Sequence, residues 1–387
     1  MRKLRVLLCA ALLGLLIPAV ALVRGQLPMD VQPLIEQKYG GWAGTLRLWV
    51  YEGWTPGAGS AAGWLNRCAA AFEKAHSGVY VQPIYVDAAA LRDLGTDGIL
   101  PPDLVLFPPG VLESADALQP LDTPAAVRAP LRASGIGRAV PVLLGGYLWA
   151  YNADRLTGIS ADWRGAEQAP SLPPYEPHRR WGVALLALCA GGGTDAAGET
   201  DDPADGVDLG LPASAALPRG IQASADAFRD FDNGDAAAMP VTQREVRRLQ
   251  ALDDQGRGVN WRLAGHGGGM FTDQLLYIGL VAREDDGRAP LCRAFVEHLL
   301  GDACQGQLSA AGAFSVTGAP SGYASGDPLA IMDSALRTDD LVAAPAFGTG
   351  WQAEADSIVR EFLDTDADPA ALWDRLKASL AENPNIN

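Results

Sequence analysis

Histidine and cysteine are scarce in this chain, and neither is grouped. The four histidines, at 76, 178, 266 and 298, make no HExxH pair, which argues against a histidine-rich metal centre. The five cysteines, Cys9, Cys68, Cys189, Cys292 and Cys304, make no CxxC pair and no zinc spacing. Cys68 and Cys292 lie among helix-like apolar residues, so buried free thiols are expected in preference to a disulfide framework. No GxSxG elbow occurs, so Gly265-His266-Gly267-Gly268-Gly269, which has the form of an esterase oxyanion loop, lacks its nucleophile and reads as a linker. Positive charge is also short: 30 Lys and Arg against 46 Asp and Glu give a formal charge of -16. Four of those cations, Arg2, Lys3, Arg5 and Arg24, sit at the N-terminus, leaving the rest more acidic still. Nucleic acid is thereby excluded as a partner, and the acidic surface serves solubility.

What is present is apolar and periodic. Val6 to Val23 form an uncharged, mostly apolar run behind Met1-Arg2-Lys3-Leu4-Arg5, the arrangement of an export signal. Eighteen residues just span a bilayer, and Ala19-Val20-Ala21 is a small-x-small cleavage site, so a removed signal and a retained anchor both stay open. Residues 1–29 are read as that leader and 30–44 as a tether. The folded part is then exported, as a secreted or cell-surface protein. At 387 residues the chain exceeds what one core usually supports, so two lobes are expected.

Thr45 to Tyr51 reads as a first strand, followed by a helix with Trp64, Leu65, Cys68, Ala69, Ala71, Phe72 and Ala75 at three- and four-residue intervals. Strands follow at Val79 to Val86 and Pro102 to Phe107, and the alternation predicts a parallel sheet covered on both faces. Val140 to Asn152 is an apolar run long enough to pass from one lobe to the other. Residues 190–218 are rich in Gly, Asp, Pro and Ala without periodicity, as in a long acidic loop. Leu275 to Ala282 is strand-like, Pro290 to Leu300 helical, and Trp351 to Leu380 carries two amphipathic helices.

Two further motifs dissolve on inspection. Gly57-Ala-Gly-Ser-Ala-Ala62, with Asp87 ending the next strand, has the outline of a dinucleotide-binding turn. Five residues separate the first strand from Gly57, which removes the tight turn that carries backbone amides to a pyrophosphate. Asp364-Thr-Asp-Ala-Asp368 begins like a calcium loop, but Pro369 stands where glycine is required. Asp368-Pro369 is better explained as a helix N-cap followed by a first-turn proline. With no catalytic constellation, the chain is expected not to be an enzyme and to need neither cofactor nor metal. Its 10 Trp outnumber its 9 Phe and 9 Tyr. Indole faces bury the C–H surfaces of sugars while the N–H takes a hydrogen bond, and Trp54, Tyr147 and Trp351 are best placed for this.

The order of several loose motifs resembles the extracellular solute-binding proteins of ATP-binding-cassette importers, the class that includes maltose-binding protein. It runs from Leu46 to Leu380: the first strand and helix ending Phe72-Glu-Lys; Pro102-Asp103 with Leu118-Gln-Pro-Leu-Asp122; and Val140-Pro141 leading to Tyr151-Asn152. Further along come Phe231 to Met239, Ala294 to Leu300 with Gln305 and Gly312, and Trp351. The resemblance implies a two-lobed α/β fold of the periplasmic-binding-protein-like type II, with strands crossing at a hinge. One lobe would hold 45–144 plus 271–325, the other 145–270 plus 326–387. It also implies a monomer that presents a small solute, with carbohydrate leading and peptide, polyamine or metal complex as alternatives, to permease subunits in the membrane. A surface-anchored interaction protein of the same fold is the second reading. The ligand is expected among Glu52 and Trp54, Phe107 and Pro108, the hinge Gly145, Gly146 and Tyr147, then Thr242 and Gln243, and Trp351. The sequence departs from the pattern at Gly145-Gly146, where sugar binders can present a carboxylate, and at Ile159 to Trp163, which shortens Pro-x-Thr-Trp.

Overall fold

The structure, a computed structural model, describes residues 42–53, 61–94, 101–156, 226–264, 270–281, 288–337 and 341–348, with four helical positions beyond. The expected leader, residues 30–41 of the expected tether, acidic loop 190–218 and glycine linker 265–269 lie outside the described residues. So do Trp54, Cys9, Cys189, Trp351 and nearly all of the C-terminal pair of helices. The last tether residue, Gly44, is the first of a strand.

Strand β1 (Gly44–Tyr51) places Leu46 and Leu48 in the core. Helix α1 (Ala61–Ala75) buries Trp64, Leu65, Cys68, Ala69 and Phe72 of the expected stripe and leaves Ala71 and Ala75 exposed. It is followed by Gly78 at φ +86, a left-handed conformation that glycine adopts without Cβ strain. The chain then turns into β2 (Val79–Val86), parallel to β1 in unbroken register. A short helix α2 (Ala88–Arg92), capped by the Asp87 side chain, leads toward β3 (Leu104–Phe107), parallel to β1 on its other side.

The five-stranded sheet runs β2-β1-β3-β9-β4, with β4 (Ala139–Leu144) and β9 (Leu275–Leu280) completing it. It is mixed rather than all-parallel. Strand β9 runs antiparallel to both β3 and β4, because the chain enters it on its way back from the other sheets. The wholly apolar runs of β3, β4 and β9 are buried throughout, as strands covered on both faces must be. Prolines fall where a sheet tolerates a missing N–H: Pro83 on edge strand β2, and Pro141 on edge strand β4 where the register with β9 shifts.

A second sheet, β6-β5-β7, joins β5 (Leu148–Asn152), β6 (Ala238–Val241) and β7 (Trp261–Ala264), all antiparallel. Helix α3 (Ala227–Asp232) precedes β6, and α4 (Gln243–Asp253) follows it directly. A two-stranded ladder pairs β8 (Met270–Thr272) with β10 (Leu341–Ala343). Helices α5 (Ala289–Leu300), α6 (Asp302–Gln305) and α7 (Pro328–Ala335), with short 3-10 turns at Ala129–Leu131, Ala133–Gly135 and Leu308–Ala311, complete the elements described up to residue 348.

Asp103, noted in sequence for its proline-led motif, clamps the first sheet. Its carboxylate is 1% exposed, accepts the Arg47 backbone N–H at 2.7 Å and pairs with Arg288 at 2.9 Å. Replacing Arg288 with methionine leaves that buried charge with one fewer partner. The Arg288 side chain is itself a quarter exposed, so the loss is expected to be about 2 kcal/mol, below the usual range for a fully buried pair. Urea unfolding would measure it, and a cost under about 0.5 kcal/mol would show that water replaces the guanidinium.

Candidate functional site

The apolar run from Val140 to Asn152 is not one strand. It breaks at Gly145-Gly146-Tyr147, which carries the chain from β4 in the five-stranded sheet to β5 in the three-stranded one. A second connection, Asp273-Gln274, carries it from β8 into β9. The two lie side by side: the Gly145 N–H donates to the Gln274 carbonyl at 2.5 Å, and the Thr272 hydroxyl donates to the Gly145 carbonyl at 2.9 Å. Side chains add to the join. Tyr147 donates its hydroxyl to Asp273 Oδ1 at 2.5 Å, and Gln274 Nε2 donates to the Tyr147 hydroxyl at 2.7 Å and to Asp273 Oδ1 at 3.0 Å.

Both glycines are there for space. A Cβ on Gly145 would overlap the Gln243 amide nitrogen and crowd Cβ of Gln274, and one on Gly146 would press into the Leu336 methyls. Gln243, the first residue of α4, is buried and accepts the Gly146 N–H at 3.4 Å through its side-chain oxygen. A third sheet-to-helix junction thus converges on the same place. Thr242 is occupied locally, its hydroxyl and backbone N–H closing a capping box with Glu245 at the start of α4.

The register of the first sheet sets several expected residues along one edge. Val50 lies beside Leu106, Phe107 beside Tyr277, and Leu144 beside Leu275. Glu52, Pro108, Gly145 and the Asp273-Gln274 connection therefore all fall at the C-terminal ends of β1, β3 and β4, the edge where open α/β sheets receive ligands. Glu52 is exposed there, its backbone N–H bonded to the Val86 carbonyl at 3.0 Å. Phe107 differs from expectation: it is fully buried, with its ring against those of Tyr277 and Phe347, and belongs to the core. Pro108 is buried as well. Burial also pushes the Tyr277 hydroxyl above its ordinary pKa, and that hydroxyl donates to the Ala344 carbonyl at 2.8 Å.

Thr272, Asp273 and Gln274 were not singled out by sequence. Their one signal is a polar triplet set directly before the apolar run Leu275-Leu276-Tyr277-Ile278. Asp273 matters because the first connection, with its paired glycines, has no carboxylate. The second connection supplies one, 4% exposed, against the Tyr147 hydroxyl.

No protein-family model and no curated protein matches the chain. Solved structures do. The ligand-free maltodextrin-binding protein of L. casei BL23 is 16% identical with a TM-score of 0.62, covering 88% of this chain and 99% of its own. The sugar-binding protein of the phytopathogen Xanthomonas citri is 15% identical with a TM-score of 0.59, over 88% of this chain and 97% of its own. An ABC substrate-binding protein from Listeria monocytogenes, in complex with cycloalternan, is 12% identical with a TM-score of 0.54, over 89% and 100%. These identities speak to fold, and the chain has the two-lobed α/β fold of these solute-binding proteins.

Proposed function

We propose that this protein captures a carbohydrate in a cleft between its two lobes, outside the cytoplasm, and delivers it unchanged to an ABC-type importer. The observation that carries this reading is the pair of connections, Gly145 to Tyr147 and Thr272 to Gln274, bonded to each other where the first sheet meets the other two. Two connections lying side by side in opposite directions favour a rotation of one lobe against the other, the hinge closure by which such proteins trap a ligand. Membership of β1 to β4 and β9 in one sheet and of β5 to β7 in another supports a lobe division at 144/145, with 45–144 plus 271–325 opposed to 145–270; residues 344–348, expected with the second lobe, pack on the first, Phe347 against Phe107 and the Ala346 and Gly348 N–H groups on the Ser134 and Leu112 carbonyls. The β8–β10 ladder stands at the join. Matches to proteins whose names include maltodextrin-binding and sugar-binding support carbohydrate over peptide, polyamine or metal complex.

In this reading Glu52 reaches the cleft from the end of β1, Tyr147 and Gln243 form its floor, and Trp54 and Trp351 supply the indole faces that cover sugar rings. The protein acts as a monomer that presents the closed form to permease subunits.

Thermal unfolding with malto-oligosaccharides, amino acids, polyamines and divalent metals tests the proposal. A sugar at 100 times its dissociation constant is expected to stabilise the fold by about 2.7 kcal/mol, a shift of several degrees, with the sugar recovered intact. Trp54→Ala or Trp351→Ala is expected to weaken that sugar about tenfold. A shift with amino acids alone would overturn the carbohydrate assignment. Silence across the panel would overturn solute capture and favour a surface protein that binds a macromolecule.

A further inference from the structure

Arg247 reaches from one lobe to the other. It lies one turn along α4 from Gln243, on the helix that follows β6 of the three-stranded sheet. Its guanidinium makes a two-pronged pair with Asp327, Nη1 to Oδ1 at 2.9 Å and Nη2 to Oδ2 at 2.8 Å, and stands 5.9 Å from the centre of the Tyr323 ring. Within α4, Nη1 also donates to Gln250 at 2.5 Å. Tyr323 and Asp327 both belong with the first lobe. The Tyr323 hydroxyl donates to the Ala313 carbonyl at 2.9 Å, and its ring lies against that of Phe314. Asp327 caps α7 by accepting the Leu329 N–H. That helix, expected with the second lobe, is fastened to the first: Ser321 Oγ donates to Asp333 at 2.9 Å, Arg128 to the Leu336 carbonyl at 2.7 Å and Arg337 to the Ala319 carbonyl at 2.9 Å. At 25% and 18% side-chain exposure the Arg247–Asp327 pair is only partly open to screening, and its fork geometry fixes both partners.

Where the pair stands decides what it does. Leu144, at the end of β4, is partnered by Leu275 of β9 on one side and exchanges backbone hydrogen bonds with Phe314, at 2.9 and 2.7 Å, on the other. Phe314, Tyr323 and Asp327 therefore lie beyond the β4 edge of the five-stranded sheet, whereas Glu52 and Pro108 follow β1 and β3 on the other side of β9. The connections Gly145 to Tyr147 and Asp273-Gln274, at the ends of β4 and β9, lie between them. A rotation there that brings the second lobe toward the ends of β1 and β3 lifts α4 away from α7, as a lever moves about its fulcrum. From this placement we propose that the Arg247–Asp327 pair is a latch behind the hinge, which holds the lobes open and is broken when the cleft closes on ligand. Apparent affinity scales with the fraction of protein able to close, so the latch lowers affinity without touching the ligand. The proposal rests on closure about these connections, as in the function proposed above, but not on sugar as the ligand.

The test is double electron–electron resonance on the full chain, between nitroxides at Arg92→Cys, ending α2, and Arg257→Cys, beyond α4, both exposed positions. Cys9 and Cys189 are replaced by serine, and Cys68, Cys292 and Cys304 are buried. Without ligand, Arg247→Met removes the charge while keeping an apolar stem beside Tyr323, and is expected to raise a shorter-distance, closed population about fivefold. Asp327→Ser removes the carboxylate but keeps an N-cap oxygen, and should do the same. The double variant should add nothing further, as for two halves of one interaction, and Arg247→Lys, which loses the fork but keeps the charge, should fall between native and Arg247→Met. Maltoheptaose should then close Arg247→Met at about one fifth of the concentration the native protein needs. A closed population that is unchanged or smaller in both single variants overturns the latch, as does full additivity in the double variant or closure by the sugar at the native concentration. If maltoheptaose closes no form, native included, carbohydrate capture loses its support, and the ligand-free comparison still decides the latch.

Discussion

Gln305→Leu is expected to cost about 4 kcal/mol of folding stability, although leucine nearly matches glutamine in volume. Gln305 is completely buried, and its side chain is shared among three segments. Its Nε2 donates to the Val142 carbonyl on β4 and to the Leu299 carbonyl on α5, both at 2.9 Å. Its Oε1 accepts from the Ser315 hydroxyl at 2.8 Å and from the Val316 N–H at 3.1 Å. Leucine fills the space and leaves no large cavity, so the penalty comes from buried polar groups that lose a partner, each worth about 1–3 kcal/mol. Ser315 keeps a contact with Thr317 at 3.0 Å, which recovers part of the sum. Urea unfolding of the variant beside the native protein measures the difference. A loss below about 1 kcal/mol would mean that water enters and satisfies the four groups.

Gln305 also marks the limit of what the sequence conveys. Its place after the helix Ala294 to Leu300 was legible as part of a pattern, but its partners on β4 and at 315–316 were not, since no local spacing encodes them. The same division runs through the fold. Strand β1, helix α1 and strand β2 were readable because burial there follows local periodicity. The reversed direction of β9 was not, because an apolar run carries no sign of which way it lies in a sheet. At the candidate site, Gly145-Gly146-Tyr147 stood out as an interruption in an apolar stretch. Asp273 and Gln274 read as an ordinary turn, and only pairing across 126 residues brings Asp273 to Tyr147. Phe107 misled for the opposite reason. A strand-end aromatic is exposed unless something covers it, and Phe347, from far along the chain, does. Trp54 and Trp351 lie outside the described residues, so their part rests on the sequence reading.

Gly145→Val is the substitution that separates a hinge from a mere linker. The first added carbon overlaps the Gln243 amide nitrogen and crowds Gln274 Cβ. Gln243 can swing aside only by giving up its bond to the Gly146 N–H. Gln274 cannot retreat without stretching the 2.5 Å bond between its carbonyl and the Gly145 N–H, so the two connections are forced apart at their closest point. Overpacking of this kind is expected to cost about 3 kcal/mol. If the lobes close on ligand about these two connections, as proposed, sugar affinity is expected to fall at least tenfold, or about 1.4 kcal/mol in binding free energy. Gly318→Ala is the control: its added carbon meets nothing within 4 Å, so stability should stay within about 0.5 kcal/mol and affinity should not change. Calorimetric titration and urea unfolding on the same samples read both quantities. If Gly145→Val loses stability but binds sugar as tightly as the native protein, the cleft does not depend on how the two connections are set, and closure about them is not how the ligand is held.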